Sequence, residues 1–171
     1  MNTRIPTTLE ARIQRLDDLE AIRRLKHEVY CGLIDHGVST GNPALIAPIA
    51  EHFAASFEAD FTGLGIFRGA EAANFFIQGV PALLSWCQHR VSNEVIDIDG
   101  DVANAVWYVF CPAIAKPGGP FGDGGAITII GRYREAYVRE DGVWKWQRIR
   151  AELDVQTLAS VGWAEATWSG H

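Results

Sequence analysis

Three side chains in the sequence could together move a proton, namely Tyr30, Asp35 and His89. An imidazole accepts and releases a proton near neutral pH, and a nearby carboxylate fixes its tautomer and stabilises its cation. A phenol can donate a hydrogen bond to a developing oxyanion or to a leaving hydroxyl group. These residue types form the acid–base set of a proton-transfer enzyme if the fold brings them to one place.

A helix is predicted over residues 19–37, LEAIRRLKHEVYCGLIDHG. Its apolar residues recur at steps of three or four, which predicts one stripe facing a core. Asp17 with Glu20 approximates a capping box at the start, and Gly37 is typical of the position after a helix end. The preceding residues are predicted as a loose tail, 1–6, and a short helix through Leu16 that leads into the main one.

Asp35 is unusual in the last turn of this predicted helix. An exposed carboxylate there meets the negative end of the helix dipole, at a cost of about 0.3–1 kcal/mol. Either Asp35 is a solvated surface residue compensated by His36, or it has a partner elsewhere. Tyr30 lies five residues earlier, about 140° around an ideal helix, so the two share a pocket only if it wraps the helix side.

His89 begins a predicted strand, HRVSNEVIDI, and alternation places Val91 and Asn93 on the same face. On a largely apolar face, His89 is either a satisfied core histidine or a residue that lines a cavity. Pairing of His89 with Asp35 would give a partner both to the imidazole on an apolar strand face and to the carboxylate at the helix end. We therefore predict that Asp35 and His89 meet at hydrogen-bond distance, with Tyr30 within reach of a ligand held against His89.

The order of the predicted elements indicates an α+β fold. Residues 56–68 form a hairpin, 71–87 are helical with a break at Pro81, and from 88 four long strands follow. Asp-Gly turns at 99–101 and 140–142 join these strands in pairs. We expect one strongly curved antiparallel sheet, bent where Gly131 interrupts a strand, with the N-terminal helices on its concave face.

The chain therefore divides into three predicted parts: an N-terminal extension over residues 1–16, the main domain over 17–155, and a C-terminal tail or lid over 156–171. Six side chains are expected to bind substrate in the concavity of the sheet: Trp107, Tyr133, Trp146, Arg148, Asn93 and Phe57. For the last strand, parity places Trp144, Trp146, Arg148 and Arg150 on one face. The alternative is two core tryptophans followed by a solvated strand end.

Composition and motifs exclude several function classes. The 171 residues carry a net charge of −6, which disfavours a nucleic-acid partner. The three cysteines lack zinc or disulfide spacing, the five histidines show no metal motif, and no nucleotide-binding loop occurs, so no metal and no cofactor are expected. No apolar run suggests a signal peptide or a membrane span, so we expect a cytoplasmic protein without membrane contact. Six tryptophans favour a homo-oligomer.

Four segments resemble the SnoaL-like branch of the NTF2-like, cystatin-like superfamily: LEAIRRLKHEVYCGLID, EADFTGLGIFRGAEA, HRVSNEVIDIDGDVANAVWY and GRYREAYVREDGVWKWQRIR, within residues 17–152. The resemblance implies a cone-shaped fold and, often, a trimer. The pattern of candidate site residues is most similar to that of scytalone dehydratase, hexachlorocyclohexane dehydrochlorinase and bile-acid 7α-dehydratase. These enzymes use an Asp–His pair without metal or cofactor. Asp35 and His89 match that pair, Tyr30 matches a dehydratase tyrosine, and Ile149 replaces the dehydrochlorinase arginine.

Three functions agree with these features. The first is a cofactor-independent lyase, dehydratase-like, or isomerase acting on a hydrophobic small molecule, with His89 as general base or acid, Asp35 as its orienter and Tyr30 as the donor to oxygen. The second is a non-catalytic subunit resembling the small chain of ring-hydroxylating dioxygenases. The third is a small-molecule binding protein with the same cavity. The intact acid–base set favours the first.

Overall fold

The computed structural model describes residues 7–162 and begins with one unbroken helical rod. The rod consists of α1 (Leu9–Arg24), a π-helical segment (Leu25–Gly32) and α2 (Leu33–Thr40). The hydroxyl of Thr8 accepts a hydrogen bond from the Ala11 N–H at 3.2 Å and caps its start. No helix within the described residues is both long and apolar enough to cross a membrane.

The rod corrects three sequence predictions. A separate short helix ending at Leu16 and a capping box at Asp17 are wrong, because the helix continues through both positions. The predicted end at Gly37 is also wrong. The left-handed residue that ends the rod is Gly41, with φ of 64°. Gly37 is needed for close packing instead, since a Cβ there would collide with the Ile46 side chain.

Behind the rod lies a seven-stranded sheet in the order β2-β1-β7-β6-β5-β3, with β4 also paired to β5. The predicted antiparallel meander is present as β4 to β7, and the β1–β2 hairpin is also confirmed. The parallel pairing of β1 with β7 makes the complete sheet mixed. The strands are β1 (Phe53–Phe61), β2 (Gly65–Arg68), β3 (Leu84–Cys87), β4 (Arg90–Asp99), β5 (Val102–Ala115), β6 (Gly125–Glu140) and β7 (Val143–Leu158).

Shorter helices connect the rod to the sheet and close one side of the fold. Two 3₁₀ helices, Pro43–Leu45 and Ala47–His52, precede β1. Between β2 and β3 lie α3 (Gly69–Asn74), a π-helical turn (Phe75–Gly79) and α4 (Val80–Leu83). The predicted helix therefore stops four residues before Cys87, because residues 84–87 are extended and pair with the end of β5.

The sheet bends where strands carry an extra residue. The β6–β7 register shifts between Ile130 and Gly131, and again between Ala136 and Tyr137. At the first shift a Cβ on Gly131 would collide with the carbonyl oxygen of Glu152, so only glycine fits the close approach of the strands. The prediction that Gly131 serves the bend is consistent with this packing.

The predicted C-terminal part begins inside the last strand. Strand β7 runs to Leu158, so residues 156–158 belong to the sheet and not to a separate tail. Residues 163–171, the rest of the predicted tail or lid, lie outside the described residues. Residues 9–16 of the predicted extension are the first two turns of α1.

A buried ion pair joins the rod to the concave face of the sheet. Lys26 Nζ lies 2.6 Å from Glu135 Oε1, and both side chains are fully buried. The other carboxylate oxygen of Glu135 accepts hydrogen bonds from Trp146 Nε1 at 3.1 Å and from the Tyr137 hydroxyl. Glu135 is therefore a charge with partners on both oxygens, which is the condition for keeping a carboxylate in a core.

The Lys26 ammonium also lies between two aromatic rings. Its Nζ is 3.8 Å from the centroid of the Tyr30 ring and 3.6 Å from that of Tyr133. The π faces of these rings attract the cation, an effect that strengthens when water is excluded. One ammonium group thereby fixes the distance between the rod and β6.

Loss of this ammonium should destabilise the fold strongly. We expect Lys26→Met to lower the free energy of unfolding by about 3–5 kcal/mol, because it leaves the Glu135 carboxylate buried without a counter-charge. Urea denaturation of the purified variant would measure the change. The double variant Lys26→Met/Glu135→Gln should recover part of the loss. A single-variant loss below about 1 kcal/mol, the range of exposed pairs, would contradict this account.

Candidate active site

A cavity of about 300 Å³ lies between the rod and the concave face of the sheet. This volume is at the lower end of the range of ligand pockets. Exposed Gly63, in the β1–β2 turn, and exposed Pro120, in the β5–β6 loop, both line it, so the cavity reaches the surface between them. Most of the wall is apolar, with Ile34, Phe61, Leu64, Phe75, Val80, Leu83, Leu84, Phe121, Ile129 and Leu153.

Asp35 and His89 meet beside this cavity, as predicted. His89 Nδ1 lies 2.6 Å from Asp35 Oδ1, and the backbone N–H of His89 donates to Asp35 Oδ2 at 2.8 Å. The Cys87 thiol donates to Oδ1 at 3.3 Å. Three donors thus converge on one carboxylate. When the imidazole is neutral, this arrangement places Nδ1–H toward Asp35 and leaves Nε2 as the nitrogen that can accept a proton.

The local structure explains why these two residues meet. Asp35 lies in the first turn of α2, and the rod continues for another turn beyond it. Our prediction assumed that Asp35 lies in the last helical turn and is disfavoured there by the helix dipole. That assumption is wrong, although His89, the partner inferred from it, is present. His89 lies in the short irregular stretch between β3 and β4. There its backbone N–H is available to a side chain instead of a strand partner.

Tyr30 lines the cavity together with Tyr133 of β6. The Tyr30 ring packs edge-on against His89, with ring centroids 5.5 Å apart, and against Tyr133 at 5.3 Å. Tyr30 belongs to the π-helical segment, and such widened turns occur frequently at functional sites. The angle predicted between Tyr30 and Asp35 assumed an ideal α-helix. Because the segment is π-helical, that angle does not apply.

Both phenols stay protonated at neutral pH. Burial raises the pKa of Tyr30 well above its usual value, and the nearby Tyr133 raises it further. Burial also raises the pKa of Tyr133, although the charge of His89 opposes this shift. A neutral phenol is a hydrogen-bond donor, so the two tyrosines can hold a ligand oxygen without adding negative charge to the cavity.

The environment of His89 favours its cation. Burial alone would lower the pKa of the imidazole, but neighbouring Tyr133 and Cys111 and the hydrogen bond to Asp35 outweigh it. The pKa of His89 is therefore raised well above its usual value. At neutral pH only a fraction of the His89 rings is therefore unprotonated, and only that fraction can act as a base. Asp35 stabilises the cation that forms when such a ring accepts a proton.

Asp35, Cys87 and His89 also form a group that could hold a metal ion, since their ligand atoms lie within 4.8 Å of one another. Burial raises the pKa of Cys87 to about 11, so its thiol keeps a proton that a metal would have to displace. The same thiol already donates to Asp35. These donors fit a hydrogen-bonded cluster better than a metal site.

Of the six side chains predicted to bind substrate, only Tyr133 lines the cavity. Trp107, Trp146 and Phe57 are fully or almost fully buried in the core. Trp107 Nε1 donates to the Tyr137 hydroxyl at 3.3 Å, and Phe57 stacks on Phe53 with a centroid distance of 3.8 Å. Their predicted position in the cavity wall is wrong because the concave face is longer than the cavity, and the rod covers the rest of it.

Arg148 and Asn93 lie outside the cavity because bulges reverse strand parity. Between Trp146 and Arg148 the β6–β7 register shifts, which turns Arg148 to the convex face. There it forms ion pairs with Glu58 at 3.2 Å and Asp60 at 3.1 Å. Asn93 has φ of 50° at a register shift in β4 and is exposed. The alternative is correct for the two core tryptophans, but the strand end is not solvated, since Ile149, Leu153 and Val155 beyond them are buried.

Several cavity residues were not predicted. Cys111 in β5 lies opposite His89 across the sheet, a position that correct strand pairing would have indicated. Gln156 falls in the predicted tail, and Pro120 and Phe121 lie in the loop between β5 and β6. Thr62 follows β1 at the turn. Loop residues have no periodic pattern, so the sequence carried no signal for their approach to the site.

The family assignment follows from comparison with known proteins. The SnoaL-like domain family matches residues 14–150. This chain belongs to the SnoaL-like domain family. Among curated proteins no sequence matches it.

Solved structures share the fold of this SnoaL-like protein. A hexachlorocyclohexane dehydrochlorinase, LinA-type3 from Novosphingobium barchaimii, is 22% identical, with a TM-score of 0.68 over 93% of this chain and 96% of that one. A scytalone dehydratase-like protein from Novosphingobium aromaticivorans is 20% identical, with a TM-score of 0.66 over 85% and 89%. An NTF2-like protein with a cystatin-like fold, also from N. aromaticivorans, is 21% identical, with a TM-score of 0.61 over 89% and 92%. The NTF2-like cone is thereby confirmed.

The carboxylate of Asp35 should contribute to the raised pKa of His89. We expect Asp35→Asn to lower the pKa of the His89 ring, measured by NMR titration, because burial then acts without its counter-charge. The exposed turn variant Asp99→Asn should leave this pKa unchanged. An unchanged His89 pKa in Asp35→Asn would contradict the contribution assigned to the carboxylate.

The same shift predicts how stability depends on pH. A raised folded-state pKa means that the pair stabilises the fold fully below the unfolded pKa of about 6.5 and less as pH rises through the folded-state pKa. In Asp35→Asn this loss between acidic and alkaline pH should be smaller, which urea denaturation across that range would detect.

Proposed function

We propose that the protein is a cofactor-independent lyase of the dehydratase type, or an isomerase, acting on a hydrophobic small molecule. The observation that carries this proposal is the Asp35–His89 pair, whose free Nε2 belongs to a residue lining an apolar cavity. A histidine oriented by a carboxylate is the arrangement expected of a general base. A purely structural subunit would not need it.

In the proposed reaction His89 removes a proton from a carbon next to a carbonyl group. Nε2 accepts the proton, and Asp35 stabilises the resulting imidazolium through the 2.6 Å contact at Nδ1. Tyr30 donates a hydrogen bond to the oxygen on which charge develops. Return of the proton to another carbon gives an isomerisation, and delivery to a β-hydroxyl group releases water and leaves a carbon–carbon double bond.

The wall of the cavity supports a neutral substrate. No lysine or arginine is among the described residues that line it, so no ammonium or guanidinium group is present to bind a carboxylate or phosphate group. Its polar side chains are Tyr30, Tyr133, His89, Cys111, Thr62 and Gln156. We therefore propose a largely apolar substrate with one carbonyl group and, for dehydration, one β-hydroxyl group.

A panel of hydrophobic β-hydroxy ketones tests the proposal. Dehydration to the conjugated enone is followed by ultraviolet absorbance, and proton exchange at the α-carbon by NMR in deuterated water. We expect His89→Gln to lower kcat/KM by about 10²–10⁴-fold, as for loss of a general base. Asp35→Asn should retain ligand binding while lowering turnover, and Tyr30→Phe should cost less than His89→Gln. Asp99→Asn is the matched control.

The two other functions predict different outcomes. A binding protein would take up the same ketones, detected by a rise in melting temperature, but would catalyse neither water loss nor α-proton exchange. An assembly subunit like the dioxygenase small chain would do neither. Turnover that persists in His89→Gln would contradict the assignment of His89 as the base. It would not contradict the presence of a ligand cavity.

We also propose that the protein forms a homo-oligomer, dimer or trimer, through the start of α1. Leu9, Ile13 and Leu16 are 67%, 50% and 64% exposed and follow one another at helical spacing. An apolar stripe of this kind on an exposed helix favours association. Sedimentation at micromolar concentration should show an oligomer that dissociates in Leu9→Gln/Ile13→Gln/Leu16→Gln. A wild-type monomer would refute it.

A further inference from the structure

Cys111 and His89 face each other across two neighbouring strands. Arg90 pairs with Phe110, and the Gln88 N–H donates to the Pro112 carbonyl at 3.1 Å, so His89 falls opposite Cys111. Side chains directly opposite in an antiparallel pair have Cβ atoms about 4.5–5.5 Å apart. The thiol therefore lies beside the ring that Asp35 orients from the other side.

The cavity is what distinguishes Cys111 from the other two cysteines. All three thiols are free and buried, but Cys111 alone among them lines the cavity. Cys87 donates to Asp35 behind the imidazole, and Cys31 lies on the rod. A small molecule in the cavity can therefore reach one thiol, and that thiol has a histidine base next to it.

We propose that Cys111, with His89 as its base, is a covalent binding site for hydrophobic α,β-unsaturated ketones. The order Cys111, His89, Asp35 repeats the logic of a nucleophile activated by a base that a third group orients. This site extends beyond the proposed elimination or isomerisation, because it forms a bond between protein and ligand. It requires only that an enone enters the cavity, and not that the protein turns over a substrate.

The proposed step balances without any other reactant. In molecules with a neutral His89, its Nε2 takes the proton of the Cys111 thiol, and Sγ forms a bond to the β-carbon of the enone. The π electrons of the carbon–carbon double bond move to the α-carbon and carbonyl oxygen as an enolate. The imidazolium of His89 then returns the proton to the α-carbon. The product is a saturated thioether ketone, and nothing is oxidised or reduced.

The other cavity walls suit this ligand class. The protonated phenols of Tyr30 and Tyr133 can donate to the carbonyl oxygen, which bears the charge of the enolate. The apolar side chains around them accept the hydrocarbon part of the ketone. Enones are also the product class of the proposed dehydration. An adduct on Cys111 would therefore be a reaction product that stays covalently bound to the protein.

Intact-protein mass spectrometry with benzylideneacetone tests the proposal. We expect the full-length protein to gain the mass of one enone, and peptide mapping to locate it on Cys111. Benzylacetone, the saturated analogue, should add nothing. Cys31→Ala should keep the adduct and Cys111→Ser should lose it. His89→Gln should slow its formation by about 10²-fold or more, the effect of losing a positioned base.

Three results would overturn the proposal: no adduct on the wild-type protein, an adduct mapped to Cys31 or Cys87, or an unchanged rate in His89→Gln. Mapping on the wild-type protein decides the site even where a variant fails to fold, which circular dichroism would reveal. The experiment measures the mass of the protein and not the formation of a dehydration product. The adduct can therefore be absent while dehydration is observed. An adduct on Cys111 without any dehydration would contradict the proposed lyase function and support the covalent site.

Discussion

The contact between Lys26 and Glu135 is the constraint on which the rest of the structure depends. A fully buried ammonium and a fully buried carboxylate 2.6 Å apart can persist only if every other charge-bearing atom around them is satisfied. Hydrogen bonds from Trp146 and Tyr137 satisfy the carboxylate, and the rings of Tyr30 and Tyr133 flank the ammonium. The core network and the cavity tyrosines are therefore one assembly.

This assembly explains the division of the concave face into two halves. Around Glu135 the rod lies directly on the sheet, and the large side chains Trp107 and Trp146 fill the interior. Beyond Tyr133 the sheet curves away, and the remaining space is the cavity beside His89. The bend depends on the close strand approach at Gly131. Rigid packing on one side thus holds the acid–base groups in place on the other.

Charge is distributed according to the same geometry. On the convex face Arg148 and Arg150 pair with the acidic side chains of β1, where water screens them and each pair contributes little. Within the cavity the environment of His89 favours its cation, and Asp35 is its ion-pair partner, with 2.6 Å between His89 Nδ1 and Asp35 Oδ1. No lysine or arginine is among the described residues that line the cavity, which favours neutral ligands. The two phenols and the Cys111 thiol provide contacts to oxygen and to electrophilic carbon.

The sequence by itself determined most element types and the α+β class, because these rest on local periodicity and turn chemistry. It also indicated the pairing of Asp35 with His89 from two polar groups that each needed a partner, although Asp35 does not lie at the helix end that the argument assumed. It could not determine which face each strand residue occupies. One extra residue between Trp146 and Arg148 reverses the parity of β7, and the bulge at Asn93 does the same in β4. The length of the rod was also hidden, since Gly37 resembles a helix end but serves close packing against Ile46. Only the tertiary structure placed Cys111 beside His89, because strand register is a long-range property that no single strand encodes.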